Sequence, residues 1–379
     1  MKLYTIVFSL LFLATLPVSS QSVVSNKPEI FGSFRPVYYV TETRDRSGDY
    51  NTNYTINARF QLNVRYALRD DLQFRARLSS RLSNTQDELS FPIQSYTGSS
   101  GSYPAGTTTF DIIQLQWDVN PTIRITAGRF QGRYALAGFI PKGMDRYYSA
   151  NLSISHTDGI WVRWNMNRNW RLDGIISYNP DEGSSHAARA PLTFTEPTSH
   201  ITTFANLAHR NTTGLWVQRE LSVSVYPQSF QRDGSWHNLS IFTARAMLRL
   251  PIHASTGEYW AGGELGFIPD APDPVDAGIP VAEPFSATSS IAWQVSAYAN
   301  NLFDRHTLGI LYGQTEPNWV ISSSYRPNNT MSEIRYRYTF TSWLNFEIRY
   351  RLRTDLYRRT GSAFTQRDSD YYMRFNFRF

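Results

Sequence analysis

Arginine is the residue type best placed to do chemistry in this chain, and its spacing is regular. Arg59, Arg65, Arg75, Arg77, Arg81, Arg124, Arg335, Arg337, Arg349, Arg351, Arg374 and Arg378 fall on one parity in stretches where apolar side chains take the other. In an extended chain successive side chains point to opposite sides, so these guanidinium groups share one face. Arginines ringing a water-filled passage favour anions, and a low-dielectric wall behind them focuses that field. Acidic residues on the same parity are fewer, chiefly Asp118, Asp173, Glu264, Glu333 and Glu347. Pairing with these would reduce the arginines to solvating the wall. The chemistry on offer is electrostatic selection of small anionic or polar solutes.

Bond-making chemistry finds less support. There are no cysteines, which excludes disulfides, thiolate metal ligands and a cysteine nucleophile. The seven histidines are scattered through loops and strand ends. His156, Thr157 and Asp158 hold the nearest acid–imidazole pair, without a convincing nucleophile beside it. Scattered loop histidines do not make a metal site, so no catalytic residue, metal or cofactor is expected. The formal charge of +6 is modest for 379 residues and does not suggest nucleic acid.

The arginines need long strands to hold them. From 54 to 69, Ile56, Ala58, Phe60, Leu62, Val64, Tyr66 and Leu68 define one face, and Thr55, Asn57, Arg59, Gln61, Asn63, Arg65 and Arg69 the other. That exceeds the usual soluble strand of about five or six residues, and suits a tilted bilayer crossing of ~9–11. Asp70 and Asp71 turn the chain into a second such strand, with Leu72, Phe74, Ala76, Leu78 and Leu82 opposite Gln73, Arg75, Arg77, Ser79 and Arg81. Strands also read at 291–299, 307–314 and 334–340, among others; 227–238 and the acidic, proline-rich 269–284 read as loops, and 319–325 fits either. The total is about sixteen, with fourteen to eighteen open. Short turns alternate with long polar loops, as in membrane barrels. Trp117, Trp164, Trp170 and Trp343 lie at short turns, where headgroup-level rings belong. No internal repeat or linker divides the chain. A mean hydropathy of −0.40 beside an aromatic content of 15% fits strands with one lipid face and one wet face.

Both ends agree. Lys2, the apolar stretch 3–14 and small residues at Val18 and Ser20 read as a secretory signal over 1–20, leaving 21–379 as a single domain. The chain ends on Tyr371, Met373, Phe375, Phe377 and Phe379, alternating with Arg374, Asn376 and Arg378. This segment resembles the closing strand of Gram-negative outer-membrane β-barrel porins, whose terminal aromatics are read by the barrel-assembly machinery. Gly128, Arg129 and Phe130 after a strand are weakly similar to phosphate- or oligosaccharide-type porins.

The resemblance implies an all-β, transmembrane, antiparallel up-and-down barrel in the outer membrane, reached through the periplasm and surrounded by lipid and lipopolysaccharide. It implies a water-filled channel for passive diffusion rather than an enzyme. In general porins the third long loop folds inward. Here that loop is 131–148, carrying Arg133, Lys142, Asp145 and Arg146 as constriction candidates. Trimers are common among porins, and the sequence leaves the oligomeric state open. A plugged binding or adhesion barrel is the alternative, with an outer-membrane hydrolase behind it.

Overall fold

Sixteen segments keep the two-residue period long enough to become strands in the computed structural model. They are β1 (Glu29–Arg44), β2 (Tyr50–Arg69), β3 (Leu72–Ser83), β4 (Thr108–Asp118), β5 (Ile123–Phe130), β6 (Thr157–Asn165), β7 (Trp170–Tyr178) and β8 (Ile201–Arg210). The second half holds β9 (Trp216–Arg232), β10 (Ser235–Leu250), β11 (Glu258–Ile268), β12 (Ser290–Leu302), β13 (His306–Thr315), β14 (Asn329–Thr339), β15 (Leu344–Asp355) and β16 (Arg367–Arg378). The structure describes residues 27–85, 106, 108–145, 157–178, 201–211, 214–252, 257–276, 278–282, 285, 288–322 and 324–379. The signal segment 1–20, Arg146 and His156 lie outside them.

Each strand pairs antiparallel with its sequence neighbours, and β1 pairs with β16 to close the barrel. Closure removes both sheet edges, which hydrocarbon would not tolerate. The outer parity is apolar and open: Ile334, Ile348, Tyr371, Met373 and Phe375 are all exposed. The inner parity is polar and covered, as at Glu264, Gln294, Glu333, Arg335 and Asp370. An apolar belt of this kind has lipid as its natural solvent. Trp117, Trp164 and Trp343 face outward beside short turns, and the Trp117 indole N–H donates to Asp71 Oδ2 at 3.1 Å.

Turn chemistry fixes the short end. Asn120 Oδ1 accepts from the backbone N–H groups of Thr122 and Ile123, and Asn167 Oδ1 from those of Asn169 and Trp170. Such side chains imitate a backbone turn.

The structure corrects the sequence reading at 227–238 and 269–284, decides it at 319–325, and adds a strand that the sequence reading did not mention. β1 is a full strand, although its two faces do not separate cleanly into polar and apolar. Residues 227–238 are not a loop: β9 and β10 run on to a two-residue turn at Asp233 and Gly234, both at positive φ (51° and 74°). Asp-Gly is a strong signal for such a hairpin. Among the described residues of 319–325 none is in a strand; Trp319, Val320, Ile321 and Tyr325 are buried. Part of 269–284 is also covered, with Ala271 wholly buried and Ile279 nearly so.

Candidate functional site

Two connections enter the barrel. Residues 131–145, after β5, cross to the inner faces of β9, β11 and β12. The Ala137 N–H donates to Gln218, and the Gln218 Nε2 donates to the Ala135 carbonyl at 3.0 Å. The Met144 N–H meets Glu264 Oε1 at 3.2 Å, and Gln294 Nε2 donates to the Lys142 carbonyl at 2.9 Å. Tyr134 anchors the start of the segment, its ring 4.5 Å from that of Phe204.

Residues 316–322 and 324–328, between β13 and β14, come in from the long-loop end. The Trp319 indole donates to the Met144 carbonyl at 3.2 Å, and Ser322 Oγ to the Gly143 carbonyl at 2.7 Å. Gly266 leaves room for Trp319, since a Cβ there would lie 2.4 Å from its ring. Leu136, Phe139, Ile140 and Met144 thus join Trp319, Val320, Ile321 and Tyr325 in one apolar cluster, with Tyr226, Ile241, Met247 and Tyr298 from the wall. Dense packing of this kind excludes water. It fills the β9–β13 side of the lumen.

The opposite side stays open. A cavity of about 700 Å³ is lined by Arg35, Arg59, Arg75, Arg77, Arg133, Arg335, Arg337, Arg374 and Arg378. Gln61, Ile112, Gln131, Gly132, Gly138, Phe139 and Pro141 also line it, and among the described residues of the lining none is acidic. Closure brings these arginines together. Arg35 of β1 stands opposite Arg59 of β2, Arg59 opposite Arg81 of β3, and Val37 opposite Arg374 of β16. Like charges directly across a sheet are unfavourable, so the arrangement costs stability that ordinary packing would not require.

Carboxylates temper this field from the edge. A register shift between β3 and β4 turns both Asp111 and Ile112 inward; Asp111 binds Arg77 through both carboxylate oxygens, at 2.9 and 2.7 Å. Glu347 takes Arg374 at 2.6 Å, Arg337 at 3.0 Å and Arg335 at 3.4 Å. Glu333 takes Arg335, and Lys142 at 3.8 Å. Phe139 divides the two halves, with the guanidinium groups of Arg337 and Arg335 lying 4.5 and 5.8 Å from its ring centre. Such contacts hold a cation against an aromatic face.

The predicted site residues separate by depth. Arg59, Arg75, Arg77, Arg133, Arg335 and Arg337 line the cavity. Arg65 and Arg124 sit near the short-turn end, paired with Glu29 at 3.0 Å and Asp118 at 2.5 Å. Arg349 and Arg351 both grip Asp370. Arg81 faces inward on β3 but is outside the lining. Lys142 is nearly buried, and Asp145 is held by Arg245. Arg35 is the arginine of the described cavity lining that sequence reasoning missed. Among the described histidines, His209 contacts Arg219, His237 contacts Asp270, and His306 contacts Tyr336.

No family model matches the sequence, and no curated protein matches it. Solved structures do. The high-pH structure of Pseudomonas putida OprB aligns with TM-score 0.62 at 10% identity, over 93% of this chain and 94% of the other. The outer-membrane channel DcaP of Acinetobacter baumannii aligns with TM-score 0.60 at 11% identity, over 96% and 100%. An anion-selective porin from Comamonas acidovorans aligns with TM-score 0.60 at 10% identity, over 93% and 99%. The chain therefore has the closed sixteen-stranded barrel fold of these outer-membrane porins, with a belt of exposed apolar side chains on its outer face.

Proposed function

We propose that this barrel is a non-enzymatic porin: a water-filled channel for passive diffusion of small polar and anionic solutes, selective for anions. The observation that carries the reading is the cavity of about 700 Å³ inside the wall, whose described lining residues include nine arginines and no acidic residue. Barrels of about this strand number have room for an aqueous passage. The apolar packing of 131–145 and 316–328 fills one side and leaves solutes the arginine side. Anions meet a favourable potential there and cations an unfavourable one. The similarity in fold to an anion-selective porin supports the same direction.

Residues 1–20 serve as a cleaved export signal in this reading, and Tyr371, Met373, Phe375, Phe377 and Phe379 as the assembly signal. The test is a reversal potential in planar bilayers under a potassium chloride gradient. Anion selectivity gives a potential near the chloride equilibrium value; a value near that of potassium refutes it.

The extensive apolar packing of the two inward segments also favours a second reading, a binding barrel that is closed at rest. Steady single-channel current without any added ligand excludes it.

A further inference from the structure

The outer wall carries a groove that lumen transport does not use. It has a volume of about 470 Å³ and runs over the outward faces of β9 to β12. Ala244, Ala246 and Gly263 form its floor, since each puts little or no side chain on the outward parity of β10 and β11. Leu221, Leu265 and Val295 stand beside them as walls, each more than half exposed. Glu220, Arg245 and Glu264 alternate with these residues but point into the lumen, and their side chains have no exposed surface.

Among the described lining residues, one charged side chain faces outward, and it lies at the short-turn end of the groove. Arg219 pairs across the sheet with Ala246 and with His209, which gives it the outward parity, and it is exposed. Its Nη2 lies 3.3 Å from His209 Nδ1, and its guanidinium 5.7 Å from the Trp216 ring centre. Trp170 closes this end, its ring 5.0 Å from that of His209. Neither imidazole nor indole supplies a negative charge. Arg129, outward on β5, is neutralised by Asp158 at 2.8 Å. Among the described residues Arg219 has no such carboxylate. A cation on a lipid-facing strand is tolerated near the bilayer interface, where its long side chain reaches headgroups. Trp170 and Trp216 mark that level.

We propose that Arg219 and the groove beside it form a discrete site for one anionic glycerophospholipid, with its phosphate on Arg219 and one acyl chain over Ala246, Ala244 and Gly263. Charge complementarity selects this occupant. The groove is apolar along its outward length, as an acyl chain requires, and cationic at the one end where headgroups lie. A guanidinium binds phosphate oxygens through charge-assisted hydrogen bonds. A second copy of the chain would have to bring a carboxylate to Arg219 and bury about 1,200–2,000 Å² in all, far more than a narrow groove offers. Short turns face the periplasm in such barrels, so the lipid comes from the leaflet on that side. The site needs the barrel to sit in a membrane and does not depend on conduction through it.

Native mass spectrometry of the detergent-solubilised barrel reads retained lipid directly, with phosphatidylglycerol and phosphatidylcholine of the same acyl chains titrated in turn. One phosphatidylglycerol per chain, held more tightly than phosphatidylcholine, is expected. Arg219→Gln is expected to weaken phosphatidylglycerol about tenfold, the loss of one charge-assisted hydrogen bond, and to abolish the preference between the two lipids. Ala246→Leu fills the floor while keeping Arg219, and is expected to lose the site for both. Arg129→Gln, an outward arginine outside the groove, is expected to bind as the native chain does. Migration on unheated denaturing gels checks that each variant is a compact barrel. Equal affinity for the two lipids, or phosphatidylglycerol binding that neither Arg219→Gln nor Ala246→Leu changes, overturns the site. A lipid-free oligomer that Ala246→Leu dissociates gives the groove to a second copy and overturns it as well. A barrel that conducts but retains no lipid refutes the site and leaves the channel reading standing; one that retains lipid and never conducts does the reverse.

Discussion

Arg245 has no exposed side-chain surface and is held by three carboxylates, Asp145, Glu220 and Glu264. Two of these come from the wall and one from the inward segment 131–145. Asp145 is thus a tether between that segment and β10. Asp145→Asn keeps the shape and removes one charge from the cluster. The loss of a charge-assisted buried bond is expected to cost about 2 kcal/mol in urea unfolding of the barrel and to increase open-channel current noise as the segment loosens. Current as quiet as that of the native chain would show that Asp145 does not hold it. Parity made the inward arginines legible, because a period of two reports face. It does not report depth along the strand, which is why Arg124 and Arg65 share the face but lie near the rim. Arg35 escaped because Phe31, Val37 and Tyr39 on its own face are as apolar as the residues opposite.

At the scale of elements, closure depends on fitting the last residue against the first strand. The Gly32 N–H donates to the Phe379 carbonyl at 2.7 Å, and the Phe379 N–H to the Gly32 carbonyl at 3.2 Å. A Cβ at Gly32 would lie 2.4 Å from the Phe379 ring and 2.7 Å from the Gln61 backbone oxygen. The ring also stacks on Phe60 of β2 at 6.3 Å. Gly32→Val cannot keep this docking. It is expected to lower the yield of compact barrel on unheated denaturing gels, whereas Gly174→Ala on β7, where a Cβ meets nothing within 4 Å, is expected to have no effect. Equal yields for the two variants would contradict the role given to the Gly32 pit. Most strands were readable because lipid and water divide their faces. The 319–325 segment was not, since Trp319, Val320 and Ile321 are apolar without alternation. They pack inside the lumen, where no such division exists. The 227–238 extension was hidden by Pro227, although Asp233 and Gly234 carried the turn signal.

At the scale of the molecule, the lumen has two unlike halves: an apolar filling against β9–β13, and an open arginine side against β1–β3 and β14–β16. Sequence alternation predicts one polar interior and cannot anticipate the filling, which comes from connections folding inward. Replacing 134–143 with a short glycine–serine link removes Leu136, Phe139 and Ile140 from that filling. It is expected to raise single-channel conductance several-fold and to weaken anion selectivity, because charges act less strongly across a wider aqueous section. Unchanged conductance would mean that the segment does not limit the passage. The whole account rests on which face of each strand borders the passage. The native chain has no cysteine, so single cysteines can be introduced without background. Arg59→Cys and Arg75→Cys are exposed to a small anionic thiol reagent during bilayer recording, beside Leu62→Cys and Val64→Cys. The account predicts a stepwise fall in current for the two arginine positions and silence for the other two; current loss at Leu62 and Val64, with Arg59 and Arg75 inert, contradicts it.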